Sequence, residues 1–275
     1  MMYRNSARLL IAALVAGVAA CADSTAPATQ LSDVMLTRDA GNDVAEATAQ
    51  DIGEMIGSEA IVGMPMAAAP EGAAPGGCSW SAATSRFVCP TFTNPDGLTL
   101  DRSFAFYAGG VAQQSYDAAA TDSINFQGAL KGTLSRSGRT VWINTNRDMT
   151  VSGLAGTETQ RSWSGTGTRT DSAHVTGDDV ARRTRIHSVD QVAAVVFALP
   201  RSANPYPKSG TITHDITLSS TADNGTGTQS RSATRHVVVT FNGTQTASVL
   251  IGTTPCTLDL LARQLSCGGA IDHVQ

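Results

Sequence analysis

Apolar and polar residues alternate along most of the chain from Cys78 to the C terminus. A period of two predicts antiparallel β-strands with one face in the core and the other in solvent. The apolar positions that share this spacing within each run are Leu98, Leu100, Phe104 and Phe106; Ile124, Phe126, Leu130 and Leu134; Val141 and Ile143; Ile212, Ile216 and Leu218; and Val237, Val239 and Phe241.

Turn signals separate these runs and predict a meander. Phe241-Asn242-Gly243-Thr244 is the strongest, because Asn-Gly suits a type I′ hairpin. Weaker signals are Asp223-Asn224-Gly225, Ser137-Gly138 and Leu154-Ala155-Gly156. Short connections between successive strands favour a long-stranded, mainly β fold, built as a curved sheet, a half-barrel or a sandwich.

One N-terminal segment has helical spacing instead. We expect a helix over residues 38–56, with Thr37 as its cap and Gly57 at its end. Its apolar stripe, which should pack on the sheet, is formed by Val44, Ala47, Thr48, Ile52, Met55 and Ile56. Residues 62–77 contain three prolines among Ala and Gly, which is typical of a linker.

The start of the chain predicts export. Arg4 and Arg8 precede an apolar run over residues 9–20, as in a secretory signal peptide. The run ends in Val18-Ala19-Ala20-Cys21, which resembles the lipobox of bacterial lipoproteins. The resemblance implies that Cys21 carries lipid and anchors the chain to a bilayer in the bacterial cell envelope.

Two details refine this expectation. Ala22 follows the cysteine in place of the Asp that retains some lipoproteins at the inner membrane, so the outer membrane is favoured. Cleavage at Ala20-Cys21-Ala22 is the alternative, and it would give a secreted soluble protein. The expected organisation is a signal peptide at 1–20, a lipidated cysteine and tether at 21–37, a helix and linker at 38–77, and a β domain at 78–275.

Four further cysteines predict two disulfides, because exported chains oxidise paired thiols. Cys78 and Cys89 are eleven positions apart, and so are Cys256 and Cys267. Turns at residues 83–84 and 261–262 would bring each pair together across a hairpin. A four-cysteine zinc site is disfavoured, since its pairs are usually two to four residues apart.

Composition and charge narrow the function classes. An apolar content of 41% argues against disorder, and an aromatic content of 5% argues against an outer-membrane barrel. The net charge is −4, and it becomes about −6 once Arg4 and Arg8 are removed (−4 − 2). No overall basic field exists to attract nucleic acid, so we expect no nucleic-acid partner.

Candidate chemistry is sparse. The sequence has no Gly-x-Ser-x-Gly, His-Glu-x-x-His or phosphate-loop motif. His214 shares the spacing of Ile212 and Ile216, which predicts an inward histidine whose hydrogen bonds are satisfied in the core. We therefore expect no catalytic, cofactor or metal site and no enzymatic activity.

Charged residues are expected on the surface. The segment from Glu158 to Thr170 is polar on both faces and predicts an exposed or edge strand. The same assumption applies to Arg147 and Asp148. Arg182, Arg183 and Arg185 are predicted to form a solvated strand face near Asp178, Asp179 and Asp190, with a site for an anionic ligand as the alternative.

Three functional hypotheses remain. The first is a non-enzymatic binding or structural role in the cell envelope. The second is a carrier of apolar ligands, which would need a cavity between the helix and Phe104, Phe106 and Phe126, similar to the half-barrels of bacterial lipid carriers. The third is a hydrolase whose site is assembled from dispersed residues such as His174, His187 and His236.

Overall fold

The computed structural model describes residues 31–62, 77–136, 139–176, 181–223 and 227–267. One helix, α1 (Asp33–Val62), precedes fourteen strands. The strands are β1 (Ser79–Ser81), β2 (Arg86–Val88), β3 (Phe92–Thr93), β4 (Thr99–Ala108), β5 (Val111–Gln113), β6 (Ser123–Arg136), β7 (Arg139–Ser152), β8 (Gln160–Thr176), β9 (Ala181–Ala198), β10 (Ser209–Asp223), β11 (Thr228–Thr240), β12 (Thr246–Ile251), β13 (Thr254–Asp259) and β14 (Gln264–Cys267).

All fourteen strands belong to one antiparallel sheet, in the order β1-β2-β4-β6-β7-β8-β9-β10-β11-β12-β13-β14, with β3 and β5 paired to β4. The prediction of a mainly β, antiparallel fold with one N-terminal helix is therefore confirmed. The sheet is open and does not close into a barrel. From β6 to β11 it is a meander of long neighbouring strands.

Helix α1 is longer than predicted. It begins at Asp33, where the Ser32 hydroxyl accepts a hydrogen bond from the amide of Met35 at 3.1 Å and caps the first turn. Thr37, the predicted cap, lies inside the helix and donates to the Asp33 carbonyl. The helix contacts β10, β11 and β14. We call the face of the sheet that it covers the inner face, and the opposite one the outer face.

The two predicted disulfides are confirmed, and they lie at the two edges of the sheet. Cys78–Cys89 closes the β1–β2 hairpin, and Cys256–Cys267 closes the β13–β14 hairpin. Each bond spans eleven positions, as the spacing predicted. Each edge of the open sheet is thus a short covalently closed hairpin.

An aromatic cluster forms part of the core on the inner face. Phe104 and Phe106 of β4 are 1% and 0% exposed, and their rings pack against Phe87 of β2. Phe126 of β6 stacks on the buried Trp163 of β8. The alternation of the sequence therefore placed these rings on the correct face.

Two local predictions were wrong. The segment predicted as an exposed or edge strand is β8, which pairs with β7 and β9 along its length and lies inside the sheet. Residues 241–244, predicted as a two-residue hairpin turn, lie in a longer loop over residues 241–245 between β11 and β12. Gly243 has a positive φ of 86° there, while Asn242 does not.

The predicted signal peptide, Cys21 and most of the tether and linker lie outside the described residues. Within the described part of the chain, the structure contains no helix with the length and apolar character needed to cross a membrane.

Candidate functional site: a buried ionic network between helix and sheet

Four residues of the inner face lie side by side across four strands. Arg147 of β7 is in register with Gly167 of β8, which is in register with Asp190 of β9, and Asp190 is in register with His214 of β10. The Arg147 side chain extends over Gly167 towards Asp190. A Cβ atom at Gly167 would lie 2.3 Å from Arg147 Nη1, so the glycine provides the space for the guanidinium.

Arg147 joins the sheet to the helix. Its Nε atom donates to Asp51 Oδ1 of α1 at 2.6 Å, and its Nη1 lies 2.9 Å from Asp190 Oδ2. All three side chains are at most 4% exposed. An ion pair removed from water to this extent is costly to break, because the remaining partner would be a buried, unpaired charge.

A second buried group lies beside the first. Arg169 of β8 contacts Asp43 of α1 at 2.8 Å and donates to Asp171 of its own strand at 2.5 Å. Arg169 is in register with Thr145 on one side and Ser188 on the other. Two neighbouring strands therefore each direct one arginine at a carboxylate of the helix.

Further contacts continue along the helix towards its N terminus. Arg182 of β9 donates to Asp39, and Arg235 of β11 donates to Asp33 and to the hydroxyl of Thr37. Arg231 of β11 donates to the carbonyl of Leu31 at 3.1 Å. Asp39, Asp43 and Asp51 differ by multiples of four, so they form one acidic stripe on the helix. This stripe faces an arginine on each of three successive strands.

Burial and charge oppose each other within the network. Burial raises the pKa of Asp43, Asp51 and Asp171 above the ordinary value of 3.8, although Arg169 and Arg147 act in the other direction. Asp190 is different: it is also buried, but its hydrogen bond to His214 and the nearby charges of His214 and Arg147 hold its pKa below 3.8. Asp190 is thus the carboxylate that its surroundings favour in the charged form.

A hydrogen-bonded chain crosses the same network. His214 Nδ1 lies 2.8 Å from Asp190 Oδ1, and His214 Nε2 lies 3.2 Å from the hydroxyl of Thr48 on α1. The order hydroxyl, imidazole, carboxylate is that of a hydrolase triad. However, Thr48 and His214 are 0% exposed and Asp190 is 1% exposed. With α1 in this position the Thr48 hydroxyl is not accessible to solvent. In this arrangement the Thr48–His214–Asp190 hydrogen bonds hold the helix in place on the sheet.

The prediction that His214 is an inward, satisfied histidine is confirmed. The other described histidines lie apart from it, exposed on the outer face. His187 bonds Thr170, and His236 bonds Asp215 at 2.7 Å. His174 is exposed on β8, and His273 lies outside the described residues. The histidines of the dispersed-site hypothesis therefore do not meet the buried network.

Two predictions about arginines need correction. Arg147 was expected on the surface, but it is 6% exposed and paired in the core. Arg182, Arg183 and Arg185 were expected to share one solvated face, but neighbouring residues of a strand point to opposite faces. Arg182 therefore bonds Asp39 on the inner face, while Arg183 and Arg185 are exposed on the outer face.

Sequence reasoning missed the network, although alternation contained the signal. Arg147 has the parity of Val141, Ile143 and Val151, and Asp190 has the parity of Val192. Charge alone predicts exposure at these positions, whereas period-two spacing places them inside. The acidic stripe of α1 was missed for the same reason.

The carrier hypothesis gains no support from the geometry. It requires apolar space between α1 and the aromatic residues of β4 and β6, but Phe104 and Phe106 pack against neighbouring rings. The contacts between helix and sheet that lie nearest the middle of α1 are ionic. An apolar ligand there would have to displace buried charges.

Among the described residues, no three His, Cys, Asp or Glu side chains are arranged to hold a metal ion. Comparisons with known proteins give no further assignment. No family model matches the chain, and no curated protein or solved structure is significantly similar to it.

Proposed function

We propose that the protein is a membrane-anchored lipoprotein of the bacterial cell envelope with a non-enzymatic binding or structural role. Its mature chain would begin at Cys21 and be held to the bilayer by acyl groups on that residue. The sheet would then be the functional part, and its exposed outer face the surface available to a partner.

The contact between α1 and the sheet carries this proposal. α1 is the first described element after the proposed anchor, and arginines from β7, β8, β9 and β11 bind it. Any force or orientation imposed at the tether would therefore be passed to the sheet through four ion pairs, of which those of Arg147 and Arg169 are buried, rather than through a loose connection. Such a connection suits a protein that presents a rigid surface near a membrane.

Two other features support export and surface binding. Both edges of the sheet are closed by disulfides, which persist in oxidising compartments outside the cytosol. The outer face of the central strands is polar, with alternating exposed positions such as Thr166, Thr168, Arg185 and His187. A broad, exposed polar surface favours a binding role over an enclosed reaction site.

Metabolic labelling with a radioactive fatty acid tests the anchor. We expect label on the wild-type protein and none on the Cys21→Ala variant, with the wild type recovered in the membrane fraction. Cys78→Ala with Cys89→Ala is the control, because those cysteines form a disulfide and should not affect acylation. Equal labelling of wild type and Cys21→Ala, or release of unlabelled wild type into the medium, would overturn the proposal.

A further inference from the structure

The N terminus of α1 lies at the end of the sheet where β9 and β11 begin. Arg231 of β11 bonds the carbonyl of Leu31, and Arg231 is in register with Ser220 of β10 and Thr184 of β9. Thr184 lies three positions from Ala181, where β9 begins. The β6–β7, β8–β9 and β10–β11 connections are all at this end. We call it the anchor end.

Chain length ties this end to the bilayer. Ten residues separate Leu31 from Cys21, and ten extended residues reach at most about 35 Å. The opposite end of β9, at Ala198, is 14 positions beyond Thr184, which is about 46 Å of strand at 3.3 Å per residue. A lipid on Cys21 would therefore keep the anchor end closer to the membrane than the opposite end.

The outer face of the anchor end carries a compact basic patch, formed by Arg183 and Arg185 of β9. Both side chains are exposed. Their cross-strand neighbours on β8 are His174 and Ser172, and on β10 they are Thr221 and Ser219, none of them acidic.

Among the described residues, two acidic side chains share this face of β10. Asp223 is the next position after Thr221 on the same face and lies diagonal to Arg183, while Asp215 is six positions before Thr221 and already bonds His236. Asp178 and Asp179 lie outside the described residues. Trp142 of β7, 40% exposed, lies in the same cross-strand row as Arg185, with Ser172 between them. Exposed arginine beside an exposed indole is a combination suited to the interface of a lipid bilayer.

We infer that the patch of Arg183 and Arg185 docks on an anionic membrane surface and orients the sheet on the bilayer that holds Cys21. This inference rests on the proposed function, since it is the anchor that brings the patch close to lipid. The net negative charge of the whole chain would repel an anionic surface elsewhere, so contact should concentrate at this end.

Binding to vesicles in the absence of acyl groups tests the patch itself. The protein would begin at Ala22, which keeps every residue that the structure describes. Vesicles would contain either phosphatidylcholine alone or phosphatidylcholine with phosphatidylglycerol. We expect binding only to the anionic vesicles, with release by added salt and about fivefold weaker binding for Arg183→Gln and for Arg185→Gln.

The control is Lys208→Gln, which removes one exposed positive charge just before β10, at the opposite end of the sheet. It should bind like the wild type. Acrylamide quenching of Trp142, identified by comparison with Trp142→Phe, should decrease when anionic vesicles are added. The circular dichroism of each variant should match the wild type, since both arginines are exposed.

Equal binding to both kinds of vesicle, no binding, or equal losses for all three charge variants would overturn the docking inference. So would displacement of the protein from vesicles by a soluble anionic polysaccharide at a lower concentration than lipid. The two proposals fail separately. Loss of the acyl label contradicts the anchor, whereas an acylated protein whose Ala22 form ignores anionic vesicles contradicts only the docking.

Discussion

At the scale of single residues, the decisive feature is Gly167, which has no side chain to block Arg147. Arg147 crosses a central strand to reach Asp190, and Gly167 is the position that it crosses. Any other residue there would place a Cβ within 2.3 Å of Nη1 and 2.7 Å of Cδ. Since Asp51 and Asp190 hold both sides of the guanidinium, the arginine has no free direction in which to move.

We predict that Gly167→Ala lowers the free energy of unfolding by roughly 3–5 kcal/mol, the usual cost of separating a buried ion pair. Urea denaturation followed by circular dichroism would measure it. Gly53→Ala is the matched control, because a Cβ there meets nothing within 4 Å in the exposed part of α1. It should leave stability unchanged or raise it by up to about 1 kcal/mol. Equal effects of the two changes would contradict this account of Arg147.

Asp190 predicts the acid limit of stability. Its pKa in the folded protein lies below the ordinary 3.8, so its contribution is complete above 3.8 and is lost as the pH falls through the lower, folded value. We expect Asp190→Asn to be less stable than wild type at neutral pH and the difference to shrink below pH 3.8. Denaturation curves between pH 2 and 7 would show this. A difference that stays constant over that range would refute the assignment.

At the scale of elements, α1 is held by charge as much as by apolar packing. Leu36, Val44 and Met55 are fully buried, but so are Thr48 and Asp51, and Asp43 is 7% exposed. Gly41 lies against Leu265 of β14, where a Cβ would be 2.7 Å from Cδ2. The helix therefore meets the sheet through small residues, apolar residues and carboxylates on one stripe.

Hydrophobic spacing in the sequence predicts most of the fold but not the buried ionic network. The strands, the inward position of His214, the disulfide hairpins and the existence of the helix followed from spacing. The ionic network did not, because the charge of Arg147 and the polar residues of β8 indicate exposure when they are considered without their partners. Parity places Arg147 and Arg169 on the inner face, but their pairing depends on Asp51 and Asp43, each more than ninety residues away in the chain.

Asp51→Asn tests the link between helix and sheet. It leaves Arg147 with one carboxylate, so we expect a lower free energy of unfolding at pH 7, with a smaller difference there than at pH 4 because burial raises the pKa of Asp51. The control is Asp215→Asn, which breaks the pair with His236 on the outer face, where both side chains are about 60% exposed. Exposed pairs contribute little, so we expect a much smaller change there. Thermal unfolding that changes equally in both variants would contradict the importance of burial.

The two edge hairpins make a further prediction. Each disulfide closes a loop that spans eleven positions, which corresponds to about 2–3 kcal/mol of unfolded-state entropy. Cys256→Ala with Cys267→Ala should remove that amount. It should also increase hydrogen exchange in β13 and β14, which form one edge of the described sheet and are joined to the rest of it through β12. Unchanged exchange at this edge would show that the hairpin is stable without its disulfide.

At the scale of the whole molecule, the sheet unites two kinds of core. Aromatic rings fill the side of β2, β4 and β6, and ionic pairs fill the centre beneath α1. Apolar packing stabilises the first part at any pH between the extremes. The second part depends on the protonation of its carboxyl groups. The free energy of unfolding of the whole fold should therefore vary with pH as these few residues titrate.

Carboxyl groups outnumber arginines in the buried centre, and their burial sets how the stability changes above pH 3.8. Asp43, Asp51, Asp171 and Asp190 share Arg147 and Arg169. For the first three, burial raises the folded pKa above 3.8, so folding favours the protonated form and the free energy of unfolding falls as the pH rises from 3.8 through their raised values. Asp190 has the opposite effect below 3.8.

The stability of the wild type should therefore be greatest near pH 4 and fall as the pH rises, because the two opposite directions meet at the ordinary carboxyl value of 3.8. Thermal midpoints measured from pH 3 to 9 would locate the maximum. In Asp171→Asn one of the groups responsible for the decline above pH 3.8 is gone, so the decline should become shallower even though the variant loses a partner of Arg169. Asp215→Asn, on the outer face, should keep the wild-type slope. A thermal midpoint that rises steadily to pH 9 would contradict this prediction. It would show that the arginines fully compensate the buried carboxylates and that the excess of aspartates beneath α1 does not lower the stability.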